Sequence, residues 1–507
     1  MVCNIKKLKQ FGALAGLFLL SACAVSPEPN KMADIQKRVD FDLHYIFSQQ
    51  EEITGPLRLE DVIARAFKYN LDHQLKLMEK ALAHGQLGLV KKEMLPQLMS
   101  NAGYTLRNNN PGGVSENLTT GSIGSSNSIS QERDILSSGL TFSWDALDFG
   151  VSYLRAKQSA NDVLIAQERK RKVFNNIITE ITEAYWAAVA TQRWLAKIDE
   201  LLITAEQALK TAQKVERKTL SNTLDNLNYQ QGILLTIQEL KSVRHDLKEK
   251  KTILAARMNL RPGLEFTLED EEMDIPIPTL SETIEELEMQ ALLNLPELRE
   301  EDYIAENNRL MARQRLLKLF PSLKLNSSVS YNSNKYLYND TWLQAGVNLS
   351  YNIMNLFSIG SIQETKELQE KVDNLRRQSL SMASLAKLHI SLQQFEIKKS
   401  DYILSAEIAD VNNKIRHHEL GMKLASRSTG LAVIRTQLHN LLANIKRDQA
   451  YSKMLAAYSR LKISSGEGYK LQGLGHDLTT LSSQIGEMLD KPQEDLAPIK
   501  VRQSASR

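Results

Sequence analysis

The chain contains two copies of one structural plan, and this duplication limits what it can fold into. The stretch GLTFSWDALD, residues 139–148, matches GVNLSYNIMN, residues 346–355, in the alternation of apolar and polar side chains. Such alternation has the period of a β-strand. Upstream, residues 67–98 parallel residues 292–323, and each segment runs from an Asn-Leu pair to a Pro-x-Leu motif. A helix should end before each proline, because proline disfavours helical backbone in the preceding residue.

The first residues have the composition of an export signal. A basic front is followed by a short apolar core at residues 11–20, which is too short to span a bilayer as a helix. Leu20-Ser21-Ala22-Cys23 resembles a bacterial lipobox, so we expect Cys23 to be the lipid-modified first residue of the mature chain. A plain secretory signal with a buried Cys23 is the alternative. Ala24, by the same resemblance, favours the outer membrane.

Each copy predicts two amphipathic strands joined by a loop. The apolar faces contain Leu98, Ala102, Tyr104 and Leu106, then Leu140, Phe142 and Trp144 in the first copy, and Leu325, Val329 and Tyr331, then Val347, Leu349 and Tyr351 in the second. Strands of about ten residues with one apolar face suit a transmembrane barrel. A soluble, half-buried hairpin shows the same alternation, but two copies in an exported chain favour the membrane. The loop at 108–131, rich in Gly, Ser and Asn, is expected to be long and flexible.

Long helices are predicted after each pair of strands. Glycine and proline are absent from residues 151–231 and from residues 361–420. In the first stretch, apolar residues step by four and three, as in a coiled-coil seam: Ile177, Ile181, Ala184, Ala188, Thr191, Leu195, Ile198, Leu202, Ala205, Leu209 and Ala212. A helix of about 65 residues reaches about 100 Å. We expect reversals at residues 217–227 and 419–434.

The duplication and the flanking composition divide the chain into six segments. They are a lipoprotein signal (1–22), an N-terminal periplasmic segment (23–56), repeat 1 (57–260), a linker (261–279), repeat 2 (280–463) and a polar C-terminal tail (464–507). The linker is identified by its prolines and its acidic run. The tail is expected to wrap around the rest of the chain or to be disordered.

This plan resembles the TolC-type outer-membrane efflux family over nearly the whole mature chain. The resemblance is carried by the duplicated helix-Pro-x-Leu-strand, the return strand SWDALDFG, the reversal TLSNTLDNL and the lipobox. It implies a mainly α fold with a small β part, in which duplicated long helical hairpins form an α-barrel. Each chain would add four transmembrane β-strands, and three chains would close a 12-stranded barrel, since four strands cannot close one.

The resemblance also implies a function and a set of partners. The chain would be a passive exit duct of a tripartite efflux or secretion system in the outer membrane. A periplasmic adaptor (membrane fusion) protein and an RND-type or ABC-type inner-membrane pump would dock at its periplasmic helical tips and open it. The expected state is a homotrimer in contact with outer-membrane lipid, without cofactor, metal or nucleic acid. A structural periplasmic coiled-coil lipoprotein and a membrane-tethered hydrolase remain as alternatives.

The resemblance assigns the adaptor-docking tip to the two predicted reversals. The residues are Thr219, Leu220, Ser221 and Asn222 in the first and Gly421, Ser426 and Ser428 in the second. Asp225 matches the acidic position of the family motif, and three copies would form a cation-attracting aperture ring. As an alternative, Asp225 only caps a helix or faces solvent. Thr219 stands where the family usually has glycine, and basic residues crowd both tips, which leaves the charge of the gate open.

Composition and motifs argue against enzymatic and nucleic-acid chemistry. The chain has 63 basic and 60 acidic residues, and loss of the three signal lysines would balance them, so no electrostatic case exists for nucleic-acid binding. A phosphate-binding glycine loop, a nucleophile elbow and zinc-ligand spacing are absent from the sequence. His417 and His418 are adjacent, so on a helix they point about 100° apart and do not form a ligand pair. We therefore predict a protein that is not an enzyme.

Overall fold

The structure is a computed structural model that describes residues 29–48, 50–216, 223–261, 263–269, 277–424, 430–468 and 477–490. These residues are mainly helical, with one four-stranded sheet and one two-stranded sheet. The chain divides into two compact units, Met1–Ile53 and Thr54–Arg507. The first unit contains helix α1 (Met32–Ser48), which buries none of its side chains.

The second unit repeats one order of elements, as the sequence predicts. The first copy comprises α2 (Leu59–Tyr69), α3 (Leu71–Lys92), β1 (Gln97–Leu106), β2 (Gly112–Gly113), β3 (Ser128–Ile129), β4 (Asp134–Asp145), α4 (Ala146–Glu216) and α5 (Thr223–Arg257). The second comprises α6 (Ile284–Asn294), α7 (Pro296–Leu317), β5 (Ser322–Asn332), β6 (Thr341–Ser350), a 3₁₀ turn (Ile353–Ser358), α8 (Ile359–Leu424) and α9 (Gly430–Ser464). Helix α10 (Leu478–Asp490) follows.

The four long strands form one antiparallel sheet in the order β1-β4-β5-β6. Strand β4 pairs with β1 on one side and with β5 on the other, so the central pairing joins the two repeats. In the described residues, β1 and β6 each lack a strand on their outer side. The predicted strands are present, but β4 and β6 begin at Asp134 and Thr341, earlier than the alternating stretches suggest.

Equivalent polar residues convert strand into helix in both repeats. Asp145 Oδ1 accepts hydrogen bonds from the backbone N–H groups of Leu147 at 2.9 Å and Asp148 at 3.2 Å. In the second repeat, Asn352 Oδ1 accepts one from the N–H of Met354 at 3.1 Å. These side chains satisfy backbone donors that the first turn of a helix leaves free. β4 therefore ends at Asp145, three residues before the end of the stretch 139–148, and β6 ends at Ser350, five residues before the end of 346–355.

From Thr191 to Ala212, the coiled-coil seam of α4 is buried on only one of its two rows, whereas Ile181 and Ala188 of the other row are buried nearer the start of the helix. Thr191, Ile198, Ala205 and Ala212, spaced by seven residues, are at most 6% exposed. The intervening row, Leu195, Leu202 and Leu209, is half-buried. Thr191 also donates a hydrogen bond from Oγ1 to the backbone oxygen of Leu247 on α5 at 3.0 Å. Helix α4 thus packs against α5 through small side chains that allow close approach.

A buried carboxylate joins the second helical pair to the first. Asp448 on α9 is fully buried, and its Oδ2 accepts a hydrogen bond from Trp194 Nε1 on α4 at 2.6 Å. Arg447 donates to Oδ1 from Nε at 2.8 Å and from Nη2 at 2.7 Å. A buried charge is tolerated when it is paired and hydrogen-bonded in this way. The contact spans both repeats, so it fixes where α9 lies along α4.

The described part of the C-terminal tail is ordered against the first repeat. Leu481 and Ile485 of α10 are buried, and α10 packs on α2. Ser482 Oγ donates to Asp61 Oδ1 at 2.6 Å. Before α10, Gly466 has a φ of +85°. A Cβ at this position would lie 2.7 Å from the backbone oxygen of Gln290 on α6, so only glycine fits. Residues 478–490 therefore form a packed helix, which the polar composition did not indicate.

Replacing Asp448 with alanine should destabilise the packing of α9 on α4. The change leaves the Trp194 N–H without its acceptor, and the guanidinium groups of Arg447 and of Arg193, whose Nη1 lies 3.9 Å from Oδ2, without their carboxylate. We therefore expect a loss of about 3 kcal/mol. Thermal unfolding followed by circular dichroism in detergent would measure it. Asp410→Ala is the control, because Asp410 is an exposed partner of Lys414 and its loss should cost less than about 1 kcal/mol. Equal losses in both variants would contradict the role of Asp448.

Candidate functional site

One face of the four-stranded sheet is apolar and exposed in the single chain. The exposed apolar residues that the register places on this face are Leu98, Tyr104, Leu106, Leu136, Leu140, Phe142, Leu323, Leu325, Val329, Tyr331, Leu343, Val347 and Leu349. Their exposure reaches 73% at Leu343 and 72% at Leu349. A large exposed apolar patch marks a surface that contacts lipid or another protein. The two faces predicted from the alternation are confirmed by the register.

The opposite face of the sheet is polar, and it repeats one cross-strand arrangement. Asn101 lies opposite Gly139, and Asn326 lies opposite Gly346. A Cβ at Gly139 would lie 3.0 Å from Asn101 Oδ1, and one at Gly346 would lie 3.2 Å from Asn326 Oδ1. Each glycine therefore makes room for an asparagine side chain to lie across the strand. Asn348 Nδ2 donates to Asn326 Oδ1 at 3.2 Å, which extends the amide row to β6.

The long loop of the first repeat is built as an extension with its own pairing. Gly112 and Gly113 pair with Ile129 and Ser128, and a further bridge joins Glu116 to Ile123. At the turn, Asn117 Oδ1 accepts hydrogen bonds from the N–H groups of Thr119 and Thr120. The Gly, Ser and Asn content suggested a flexible loop. The structure instead has a narrow ladder, because these residues supply turn geometry as well as mobility.

A buried asparagine ties the loops of the two repeats together. Asn334, in the loop between β5 and β6, is 5% exposed. Its Oδ1 accepts from the N–H of Glu132 at 3.1 Å, and its Nδ2 donates to the backbone oxygen of Ser130 at 3.0 Å. Lys335 adds an ion pair with Glu132 at 3.0 Å, and the side-chain and backbone hydrogen bonds that Lys335 donates to this carboxylate stabilise its charged form and lower the pKa of Glu132. Short-range sequence patterns do not predict this contact, because Glu132 and Asn334 are 202 positions apart.

Helix α8 carries a long apolar stripe that is exposed in the single chain. It consists of Leu368, Leu375, Met382, Ile390, Ile397, Leu404 and Val411, spaced by seven or eight residues and between 52% and 68% exposed. The opposite side of α8 packs on α9 and includes the buried Leu388 and Phe395. A seven-residue apolar repeat is the pattern by which one helix packs along another. The stripe therefore marks a surface for a further helix.

The predicted tip residues lie mostly outside the described residues. The residues outside the described ranges are Thr219, Leu220, Ser221, Asn222, Ser426 and Ser428. The predicted lipidation site, Cys23, lies outside them too. Helix α4 ends at Glu216 and α5 begins at Thr223, whereas α8 ends at Leu424 and α9 begins at Gly430. Gly421 lies within the last turn of α8.

Asp225 lies in the first turn of α5 and is exposed. A carboxylate is favourable there because the helix dipole places positive charge at this end. Its proposed place in an aperture ring remains a prediction.

Neither a membrane-spanning helix nor a metal cluster is found in the part of the chain that the structure describes. No helix in these ranges combines the length and the apolar composition needed to cross a bilayer. The same residues contain no group of three His, Cys, Asp or Glu side chains that could hold a metal ion. His417 and His418 are both exposed near the end of α8. The candidate site consists of the exposed faces of the sheet and of the long helices.

Of three comparisons with known proteins, the one with solved structures finds similar proteins. No family model matches the chain. No curated protein sequence matches it either. Among solved structures it is similar to the open-state MtrE outer-membrane channel of Neisseria gonorrhoeae, with 15% identity, coverage of 82% of this chain and 90% of that chain, and a TM-score of 0.63.

Two further solved structures show the same similarity. The CmeC outer-membrane channel of Campylobacter jejuni is 14% identical over 85% of this chain and 89% of that chain, with a TM-score of 0.59. The outer-membrane protein VceC of Vibrio cholerae is 12% identical over 81% of this chain and 97% of that chain, with a TM-score of 0.57. The chain therefore has the fold of the outer-membrane channels, which is the fold that the resemblance to the TolC-type family implies.

Proposed function

We propose that this protein is the outer-membrane exit duct of a tripartite efflux or secretion system. The observation that carries the proposal is the open four-stranded sheet, whose apolar face is exposed and whose opposite face is polar. An apolar outer face and a polar inner face are what a membrane-spanning barrel with a water-filled lumen requires. A soluble sheet would bury its apolar face against a core.

The edges of the sheet supply the argument for more than one copy, and the number three comes from the resemblance. An exposed strand edge presents unpaired N–H and C=O groups, which in a membrane must find partners. Single-chain barrels need about eight strands or more, so four strands from one chain require further copies. Three copies give twelve strands, with β1 of one copy beside β6 of the next. The apolar stripe on α8 supports the same assembly, because it offers each copy a surface for a neighbouring helix.

The remaining features of the proposal come from the sequence. Cys23 would carry the lipid anchor, and lipid plus barrel would give stable membrane attachment. The adaptor and an RND-type or ABC-type pump would dock at the tips around Ser221 and Ser426 and supply the energy. The duct itself would be passive and not an enzyme. The structural coiled-coil lipoprotein is less favoured, because it leaves the exposed apolar face without a purpose.

Adjacent residues of β6 provide a matched test of the membrane position. Val347 and Asn348 are both exposed in the single chain but lie on opposite faces. In isolated outer membranes, Asn348→Cys should react with a water-soluble maleimide at least about tenfold faster than Val347→Cys, because lipid excludes the reagent. The only native cysteines are Cys3 and Cys23, so the background is low. Equal labelling rates, with full reaction of both after denaturation, would argue for a soluble sheet.

The stripe on α8 can be tested by a charge placed within it. Met382→Glu puts a carboxylate into the proposed contact between copies and should lower the fraction of trimer about tenfold or more. Lys387→Glu is the control, because Lys387 is exposed on α8 outside the stripe. Native mass spectrometry of the detergent-solubilised protein would count the copies. Trimer that survives Met382→Glu unchanged would remove α8 from the interface.

Docking at the tips can be tested in intact cells. A photoreactive amino acid at Ser221 or Ser426 should capture a periplasmic adaptor, identified by mass spectrometry. The same amino acid at Asp410, exposed on α8 about 20 Å from the end of the helix, is the control and should not capture it. Capture of only further copies of the chain or of peptidoglycan-linked proteins would instead favour the structural lipoprotein.

A further inference from the structure

The junction between the two repeats provides a template for the contact between copies of the chain. Within the chain, β4 pairs with β5, and α4 packs on α7 and on α9. Strand β6 and helix α8 are the counterparts of β4 and α4, and in the described residues they lie at one edge of the chain. The counterparts of β5, α7 and α9 are β1, α3 and α5, which lie at the other edge. The two edges therefore have the same architecture as the two sides of the junction.

Two constant shifts align the repeats residue by residue. Asp145 and Asn352 cap the helices that follow β4 and β6, and they are 207 positions apart. Asn101 and Asn326 lie opposite equivalent glycines, and they are 225 positions apart. Helices α3 and α7 begin and end with the second shift, and α5 and α9 begin and end with the first. Every contact of the junction can therefore be transferred to a defined pair of residues at the two edges.

The strand pairing of the junction gives a register for the pairing between copies. In the chain, Phe142 of β4 lies opposite Ser327 of β5. The two shifts carry this pair to Leu349 of β6 and to Ala102 of β1. In the described residues, these strands have no partner on their outer sides. The transferred register keeps the apolar face continuous, because Leu349 and Ala102 both belong to the apolar row of their strand.

The helical contact next to the sheet is polar within the chain, but its counterpart is apolar. Asn161 Nδ2 on α4 donates to Asn307 Oδ1 on α7 at 2.9 Å, and Asn307 Nδ2 donates to Asp162 Oδ1 at 2.9 Å. The positions equivalent to Asn161 and Asn307 are Leu368 on α8 and Leu82 on α3. These leucines are 54% and 62% exposed. A pair of amides within the chain is thus replaced by a pair of leucines at the edges.

The same replacement occurs further along the long helices. Glu183 on α4 accepts from Arg460 Nη2 on α9 at 2.8 Å. The equivalent positions are Ile390 on α8 and Ile253 on α5, which are 53% and 36% exposed. Two separate chains must be held together by the apolar surface that they bury, whereas the two repeats are already linked by the chain. Apolar side chains at the edges suit the first case.

One transferred contact consists of two opposite charges. The buried pair Trp194 and Asp448 corresponds to Asp401 on α8 and Lys241 on α5. Asp401 and Lys241 are both exposed in the single chain. A carboxylate on one edge therefore meets an ammonium group on the other edge in the transferred register. Such complementary charges fix the register of a contact more than they strengthen it.

The present partners of these two charges do not prevent the exchange. Asp401 Oδ2 accepts from Lys398 Nζ at 2.9 Å, and both side chains are on the solvent side of α8. Lys241 Nζ lies 3.7 Å from Glu206 Oε1, which is too far for a hydrogen bond. Exposed ion pairs contribute little stability, so either charge can turn to a new partner.

We propose that copies of the chain join by repeating the junction between the repeats. Strand β6 pairs with β1 of the next copy, so that Leu349 lies opposite Ala102. Helix α8 packs on α3 and α5 of that copy, and Asp401 pairs with Lys241. The inference rests on the proposed assembly of several copies in the membrane, and it adds which residues meet. Each copy uses its two edges once, so the contact is head-to-tail and closes as a ring.

Cysteine crosslinking of the full-length protein in isolated outer membranes tests the register. Leu349→Cys with Ala102→Cys places thiols on directly opposite residues, whose Cα atoms are about 5 Å apart. Oxidation by copper-phenanthroline should link the chains into dimers and trimers on a non-reducing gel. The control, Leu349→Cys with Tyr104→Cys, moves one thiol along the same face to a diagonal position about 7–8 Å away, where a disulfide does not form without backbone movement. Its yield should be at least about fivefold lower.

The outcomes separate the register from the assembly on which it rests. The single-cysteine variants measure the background contributed by Cys23. If native mass spectrometry finds the trimer but the control pair crosslinks equally well, or neither pair crosslinks, the register is overturned. If no trimer is found, the assembly is refuted together with this contact. The maleimide test of Val347 and Asn348 then still reports separately on the membrane position.

A charge exchange tests the helical part of the contact. Asp401→Lys should lower the fraction of trimer at least about threefold at low salt, because two cations then face each other. Combining it with Lys241→Asp should restore the fraction to within about twofold of the wild type. Asp410→Lys is the control, because Asp410 is exposed and lies about 180° around α8 from Asp401. A double variant without recovery, or an equal loss in the control, would overturn the pairing of Asp401 with Lys241.

Discussion

The edges of β1 and β6, which pair with no other strand among the described residues, are the constraint on which the rest of the molecule depends. Each edge presents backbone donors and acceptors that an apolar environment cannot satisfy, so in the proposed membrane position strands from further copies must pair with them. The long helices α4 and α8 continue from β4 and β6 within a few residues. Their starting positions are therefore set by the sheet. In the proposed trimer, the exposed stripe of α8 would be the surface that meets a neighbouring helix.

Local capping and one long-range hydrogen bond together stabilise the arrangement of the two repeats. Asp145 and Asn352 occupy equivalent positions and turn the chain from strand to helix in the same way. Capping cannot determine how the helices of one repeat lie along those of the other. The buried hydrogen bond between Trp194 and Asp448, which are 254 positions apart, fixes the alignment of α9 along α4. A polar contact suits this task because it is directional, whereas apolar seams tolerate sliding.

The sequence predicts those features that repeat over short distances. Strand faces follow from period-two alternation, and the α4 seam follows from its seven-residue spacing, so both could be stated residue by residue. Pairings such as Asn334 with Ser130, or Ser482 with Asp61, join distant segments and leave no periodic signal. Gly421, which the resemblance assigns to the tip, lies in the last turn of α8, where a single glycine costs only about 1 kcal/mol, and its part in docking remains a prediction. Strand β4 begins at Asp134, and its first four residues include Asp134 and Ser137, which are residue types common in loops.

The burial of Glu301 poses a physical question that packing does not answer. In a helix pair stabilised only by contacts, a glutamine or an apolar residue at this position would avoid placing a charge beside Asp373, Glu300 and Asp302. An ion pair with Arg376, whose Nη1 lies 3.7 Å from Glu301 Oε1, compensates the buried carboxylate without a direct hydrogen bond. Because Glu301 is on α7 and Arg376 is on α8, this pair connects the two helices by charge.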